Sequence, residues 1–145
     1  MRFLRAHAAV TRALSAELVR EHGLTINDYE VLLHLSRAPE RRLRRVDLAE
    51  RVVLTASGIT RLLDGLEREG FVAKRSCPED GRVSYAFLTE AGIEKLRSAA
   101  ETHLEGVSRL FLEHFDEDER RALAELLDRL PGNCGEPDES CSPER

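Results

Sequence analysis

Hydrophobic residues recur at helical spacing along most of the chain; the period changes near residue 71 and returns to that of a helix after Thr89. Residues 1–21 set Leu4, Ala8, Leu14 and Leu18 among polar positions, which predicts an amphipathic helix ending at His22-Gly23, where glycine takes the left-handed cap. Thr25, with Asp28 three residues on, is a close variant of the capping box. The helix behind it carries Tyr29, Leu32, Leu33 and Leu35, and it stops before Pro39 because the residue preceding a proline disfavours α geometry. Residues 40–45 form a basic connector with room for a short strand at Leu43. A short helix over 46–52 puts Leu48, Ala49 and Val52 on one face. Thr55 caps the next helix, 56–69, whose Ile59, Leu62, Leu63 and Leu66 fall at i, i+3, i+4 and i+7, and Gly70 closes it.

Residues 71–76 and 82–88 are rich in β-branched and aromatic side chains and flank Cys77-Pro78-Glu79-Asp80-Gly81, where Asp-Gly signals a hairpin turn. Thr89 caps a long helix expected to reach about His114, with Ile93, Leu96, Ala100, Leu104, Val107 and Phe111 advancing by threes and fours. Asp116 with Glu119 predicts a capped last helix through Leu123, Leu126, Leu127 and Leu130, ended by Pro131-Gly132. Residues 131–145 hold few apolar anchors and are expected to be disordered. The expected fold is mainly α with a small β-hairpin wing, a winged helix-turn-helix over residues 23–88 flanked by helical segments at 1–22 and 89–130.

Charge changes the picture of function. The chain of 145 residues has a net charge of −5, which taken alone argues against nucleic acid. Residues 41–82, however, carry ten Lys/Arg against seven Asp/Glu, while the remainder carries twelve against twenty. A basic segment in an acidic chain focuses binding on one face and repels DNA from the rest.

The helix 56–69 divides as a groove-reading helix must. A B-DNA major groove admits one α-helix, which needs an apolar face for docking and a small, polar or basic face for base edges. Ser57, Gly58, Thr60 and Arg61 form that outer face: the small residues permit close approach, and Arg61 is suited to a guanine edge or a phosphate. Lys74, Arg75 and Arg82 cluster near the hairpin tip, which is narrow enough for the minor groove and its negative potential. Asp80, two residues before Arg82, is suited to orient that guanidinium. Each feature alone is common on solvated surfaces; the combination of short helix, turn, second helix, glycine stop and basic Asp-Gly hairpin is far rarer.

The run Asp47-Leu48-Ala49-Glu50-Arg51, followed by Leu54 through Val72, resembles the helix-turn-helix of MarR-type transcriptional regulators. Pro78-Glu79-Asp80-Gly81-Arg82 through Leu88-Thr89-Glu90-Ala91-Gly92 is similar to that family's wing and following helix; Asp-x-Arg and Leu-Thr-x-x-Gly are the most specific parts. The resemblance covers residues 5–130. It implies a homodimer whose first, fifth and sixth helices interdigitate, bound as a repressor to inverted repeats with half-sites about one helical turn apart. By the same resemblance, Arg45, Thr55, Ser57, Gly58, Thr60 and Arg61 belong to the helix-turn-helix contact set. Arg82 enters the minor groove braced by Asp80, and Lys74 and Arg75 meet phosphate. Relatives carry Ser or Thr where Arg45 and Val46 start the third helix, so phosphate contact there falls to Arg44 or Arg45. Many relatives release DNA when a small, often phenolic, molecule binds; His7, Tyr29, Leu32 and Leu33 are the candidate ligand residues.

Other chemistry is thinly represented. Cys77, Cys134 and Cys141 form neither a disulfide framework nor a CxxC pair. Cys77 lies near Lys74 and Arg75, which favours thiolate chemistry, but the favoured reading is an incidental exposed thiol. The family's peroxide sensors carry a cysteine near the N-terminus, and this chain has none there. His103 and His114 are eleven residues apart, not the i, i+4 of helical metal pairs, so neither metal nor cofactor is expected. There is no phosphate loop, GxSxG or HExxH, and no enzyme is expected. No apolar run is long enough for a membrane span and no signal peptide is read, so the cytoplasm is the expected location. The competing reading is a winged-helix protein–protein module; hydrophobic residues in place of Ser57, Gly58 and Thr60 would have favoured it.

Overall fold

A computed structural model of the chain describes residues 1–76 and 83–130. The chain divides into two compact units, Met1–Gly106 and the residues from Val107 onward. The first contains α1 (Arg2–His22), α2 (Ile26–Arg37), β1 (Arg42–Arg44), α3 (Arg45–Arg51), α4 (Ala56–Arg68), β2 (Val72–Ser76), β3 (Ser84–Leu88) and most of α5 (Glu90–Leu110).

The caps form where the side chains predict them. Thr25 Oγ1 accepts from the Asp28 amide at 3.2 Å, and the Asp28 carboxylate accepts from the Thr25 amide at 2.8 Å. Caps of this kind contribute ~1 kcal/mol. The short strand at Leu43 is β1, and it pairs antiparallel with β3, as does β2, in the order β1-β3-β2. The wing is therefore a three-stranded sheet. Leu43, Ala86 and Lys74 share one row across it, and Val72 stands opposite Leu88; these residues face the helices, and Val72, Ala86 and Leu88 are buried. The alternate positions, Arg42, Arg44, Ala73, Arg75, Tyr85 and Phe87, take the opposite face.

The core beneath the sheet joins α1 to α5. Leu18, Val31, Leu32, Leu35 and Leu48 are fully buried, with Ile59 and Leu63 of α4 packed among them. Leu62, placed inward by its period, is only partly buried at the rim of the stripe. His22 fastens the end of α1 to α5, its Nε2 lying 2.8 Å from Thr102 Oγ1.

The Leu-Thr-x-x-Gly sequence has a packing reason. Gly70, at φ 79° in the left-handed region, turns the chain out of α4. The Thr89 hydroxyl donates to the Gly70 carbonyl at 2.7 Å and accepts from the Gly92 amide at 3.0 Å. The Thr89 amide donates to the Phe71 carbonyl at 3.1 Å. That carbonyl lies where a Gly92 Cβ would be, so the end of α4 and the start of α5 close on each other only because residue 92 has no side chain.

The α3–α4 corner is strained. Val53 sits at φ 52° and is 89% exposed. A β-branched residue there is an outlier, and left-handed geometry costs about 1–2 kcal/mol. Val53→Gly is expected to raise the unfolding free energy by about 1 kcal/mol, read as a higher urea midpoint at unchanged slope.

In the second unit, Asp116 and Glu119 form a reciprocal capping box at 2.9 and 3.0 Å, starting α6 (Glu117–Leu127). The long helix ends at Leu110 instead of His114: Phe111 leaves helical geometry at φ −135°, and Leu112–His114 form a 3-10 turn. Its ring meets Phe115 at 5.2 Å. The last helix likewise stops at Leu127, short of the expected Leu130.

Candidate nucleic-acid interface

α4 buries Ile59, Leu63 and Leu66 and exposes Ser57 and Arg61, with Gly58 and Thr60 partly covered. Its first turn is ordered locally. Thr55 Oγ1 accepts from the Gly58 amide at 3.1 Å and lies 3.2 Å from Ser57 Oγ. Thr60 Oγ1 donates to the Ala56 carbonyl at 2.8 Å, which leaves its lone pairs able to accept. Arg61 Nε reaches the Ser57 carbonyl only at 3.5 Å, so this guanidinium is loosely held. The structure therefore brings Thr55, Ser57, Gly58, Thr60 and Arg61 together at one helix end, where free amides favour phosphate.

Arg45 starts α3 half-buried, beside a small groove lined with Val46, Ala49, Ala56 and Ile59. Arg44 is gripped by Asp47 through two bonds of 2.9 and 3.0 Å, which hold its guanidinium above its ordinary pKa. No side chain caps α3.

The wing separates two cations that the sequence reading paired. Arg75 is exposed on the outer face, its guanidinium 5.1 Å from the Phe87 ring centre. Arg42 lies on the same face, 5.5 Å from the Tyr85 ring and 6.0 Å from Phe87. Lys74 is on the inner face, ion-paired with Asp64 and, at 2.8 Å, with Glu67 of α4. Its backbone amide donates to the other Glu67 oxygen at 3.0 Å. Asp64 and then Glu67 raise the Lys74 pKa, and Lys74 lowers that of Glu67. The sequence reading missed this triad, although the strand period sets Lys74 with Val72, and Asp64 and Glu67 share a helix face. Asp80, Arg82 and Cys77 lie outside the described residues, as do Cys134 and Cys141.

The candidate ligand residues stand in different surroundings. Leu32 is fully buried, Leu33 packs at the core margin, and His7 is exposed on α1 beside Phe3. Tyr29 is buried with its ring 4.4 Å from that of His103. A cleft of about 400 Å³ opens elsewhere, among His22, Asp28, Arg68, Phe71 and Lys95. His103 Nδ1 is buried with no hydrogen-bond partner among the described residues, and burial lowers the pKa of its ring. The unfolded imidazole titrates near 6.5. The unfolded chain thus binds the proton more readily, and stability held above that pH is lost as pH falls through the lower folded value. His103→Phe is expected to flatten this acid limb, measured as urea midpoints between about pH 8 and pH 5.

Among the described residues no helix is long and apolar enough to cross a membrane, and no cluster of three or more His, Cys, Asp or Glu is placed to hold a metal.

A family described as the MarR family matches residues 22–83. The HTH-type transcriptional repressor YetL of Bacillus subtilis is 34% identical over 111 residues, covering 74% of this chain and 66% of YetL. Sco3205 of Streptomyces coelicolor, a MarR family transcriptional regulator crystallised in complex with DNA, superposes with a TM-score of 0.82 at 29% identity over 87% of this chain and 79% of its own. AbsC, another MarR family transcriptional regulator from Streptomyces coelicolor, gives a TM-score of 0.80 at 31% identity over 87% of this chain and 84% of its own.

Proposed function

The chain belongs to the MarR family of winged-helix transcriptional regulators, and from that premise we propose that it is a homodimeric repressor that binds an inverted-repeat operator in the cytoplasm and has no catalytic activity. The observation that carries this reading is the outer face of α4, with Ser57 and Arg61 exposed and Thr60 partly covered between them, mounted on a helix whose opposite face is fixed in the core. Ser57, Gly58, Thr60 and Arg61 read the major groove, Thr55 fixes the helix start, and Arg45 and Arg75 meet phosphate. Arg82, oriented by Asp80, completes the contact in the minor groove. The DNA-bound relative Sco3205 and the repressor YetL support the partner and the sign of regulation.

Residues 23–88 act as the DNA-binding lobe, and residues 1–22 and 89–130 as the dimerisation region. Exposed apolar side chains support this division. Phe3, Leu4 and Leu104 are 53%, 64% and 64% exposed, and Leu126 and Leu130 of the second unit also face solvent. A small aromatic ligand near Tyr29 and His7 would release the DNA.

The test is fluorescence anisotropy with a duplex chosen from random sequence. The selected consensus should be an inverted repeat with half-sites one turn apart, and log affinity should fall linearly with log salt. Selection of no duplex, or affinity indifferent to salt, would sink the reading.

A further inference from the structure

We propose that Lys74 is a positioning residue which locks the wing to the recognition helix, and that it makes no phosphate contact; the inference rests on α4 and the wing being the DNA-binding surface. Strand alternation directs Lys74 inward with Val72 and sends Arg75 to the opposite face, so the two cannot track one line of phosphates. Asp64 and Glu67 are one helical turn apart on α4, and the Lys74 ammonium pairs with both. Glu67 grips β2 twice, through the ammonium at 2.8 Å and through the Lys74 backbone amide at 3.0 Å. Lys74 is the most covered member, at 29% side-chain exposure against 47% for Asp64 and 41% for Glu67.

The charge balance points the same way. One cation held by two carboxylates leaves the cluster at −1, so a phosphate approaching the ammonium also approaches two anions. Lys74 therefore lends DNA no positive potential. What it sets is the distance from the α4 backbone to β2, and with it where the hairpin is held relative to Ser57 and Arg61. Partly exposed ion pairs add little to folding stability, so the loss of this one changes geometry more than it changes the fold.

The test compares Lys74→Met, Lys74→Arg, the pair Asp64→Asn with Glu67→Gln, and the triple variant on the full chain. Binding to the selected duplex is followed over a salt series, and amide hydrogen exchange of β2 and β3 is followed without DNA. The clamp predicts that Lys74→Met and the carboxylate pair each weaken binding about tenfold, and that the triple variant is no worse than either. The salt slope stays unchanged and Lys74→Arg restores affinity. In both weakened variants exchange in β2 and β3 quickens. A phosphate contact predicts the reverse: the slope falls by about 0.9 in Lys74→Met, and neutralising the carboxylates tightens binding. That pattern, or exchange indifferent to all four variants, overturns the proposal. If the wild-type chain selects no duplex, the DNA-binding reading fails, and the exchange data still decide whether the clamp exists.

Discussion

Gly92→Ala is expected to cost about 3 kcal/mol or more, a large share of the 5–15 kcal/mol that holds a typical domain folded. The added methyl would overlap the Phe71 carbonyl oxygen and stand 2.7 Å from Leu88 Cδ1. A flexible side chain could swing aside, but the carbonyl is backbone, fixed by the Thr89 amide at 3.1 Å. Relief requires that the Gly70–Phe71 turn after α4 withdraw from the start of α5, which breaks the Thr89 hydroxyl bond to the Gly70 carbonyl and the Thr89 amide bond to the Phe71 carbonyl together. Gly65→Ala is the matched control. Gly65 is inside α4, and beyond its own helix backbone and chain neighbours nothing among the described residues lies within 4 Å of the site of its absent Cβ. Its replacement should stabilise by about 0.5–1 kcal/mol through helix propensity. Urea unfolding of both variants measures the contrast. Equal midpoints would show that the Phe71 corner yields, and the packing account of Leu-Thr-x-x-Gly would then be wrong.

Arg61→Ala is expected to reduce affinity for the selected operator by about 10- to 100-fold, which corresponds to ~1–3 kcal/mol. Its guanidinium is exposed and weakly tied to its own helix, so the unfolding free energy should move by less than about 0.5 kcal/mol. Titrating the operator and a scrambled duplex in parallel separates the possible roles. A base contact is lost on the operator alone. A phosphate contact is lost on both, with a salt slope lower by about 0.9. No change on either removes Arg61 from the interface.

The fold was legible wherever a local rule decides it. Both capping boxes formed at Thr25–Asp28 and Asp116–Glu119, because a cap needs only four consecutive residues. The Ile59-Leu63-Leu66 stripe and the Gly70 stop were also local. Helix ends without a breaker were not: nothing in the residues after Leu110 announces that Phe111 leaves helical geometry, and hydrophobic spacing alone carried the expected helix to His114. At the candidate interface, the outer face of α4 followed from periodicity. The wing cations were grouped by proximity in sequence, which is the wrong measure in a strand, where neighbours point to opposite faces. The partners of Lys74 lie seven and ten residues back, across a helix-to-strand corner that composition does not reveal.

Those ties make α4 a beam clamped at one end. Its C-terminal half is bolted to β2 through Lys74 and to α5 through the Gly70–Thr89 corner, whereas its first turn is held, among the described residues, by its own cap and by core packing. The residues suited to read bases occupy the free end, next to the strained corner at Val53. A small rotation of α5 would therefore enter at the clamped end and be amplified along the beam, displacing Ser57 and Arg61 further than the fastening itself moves.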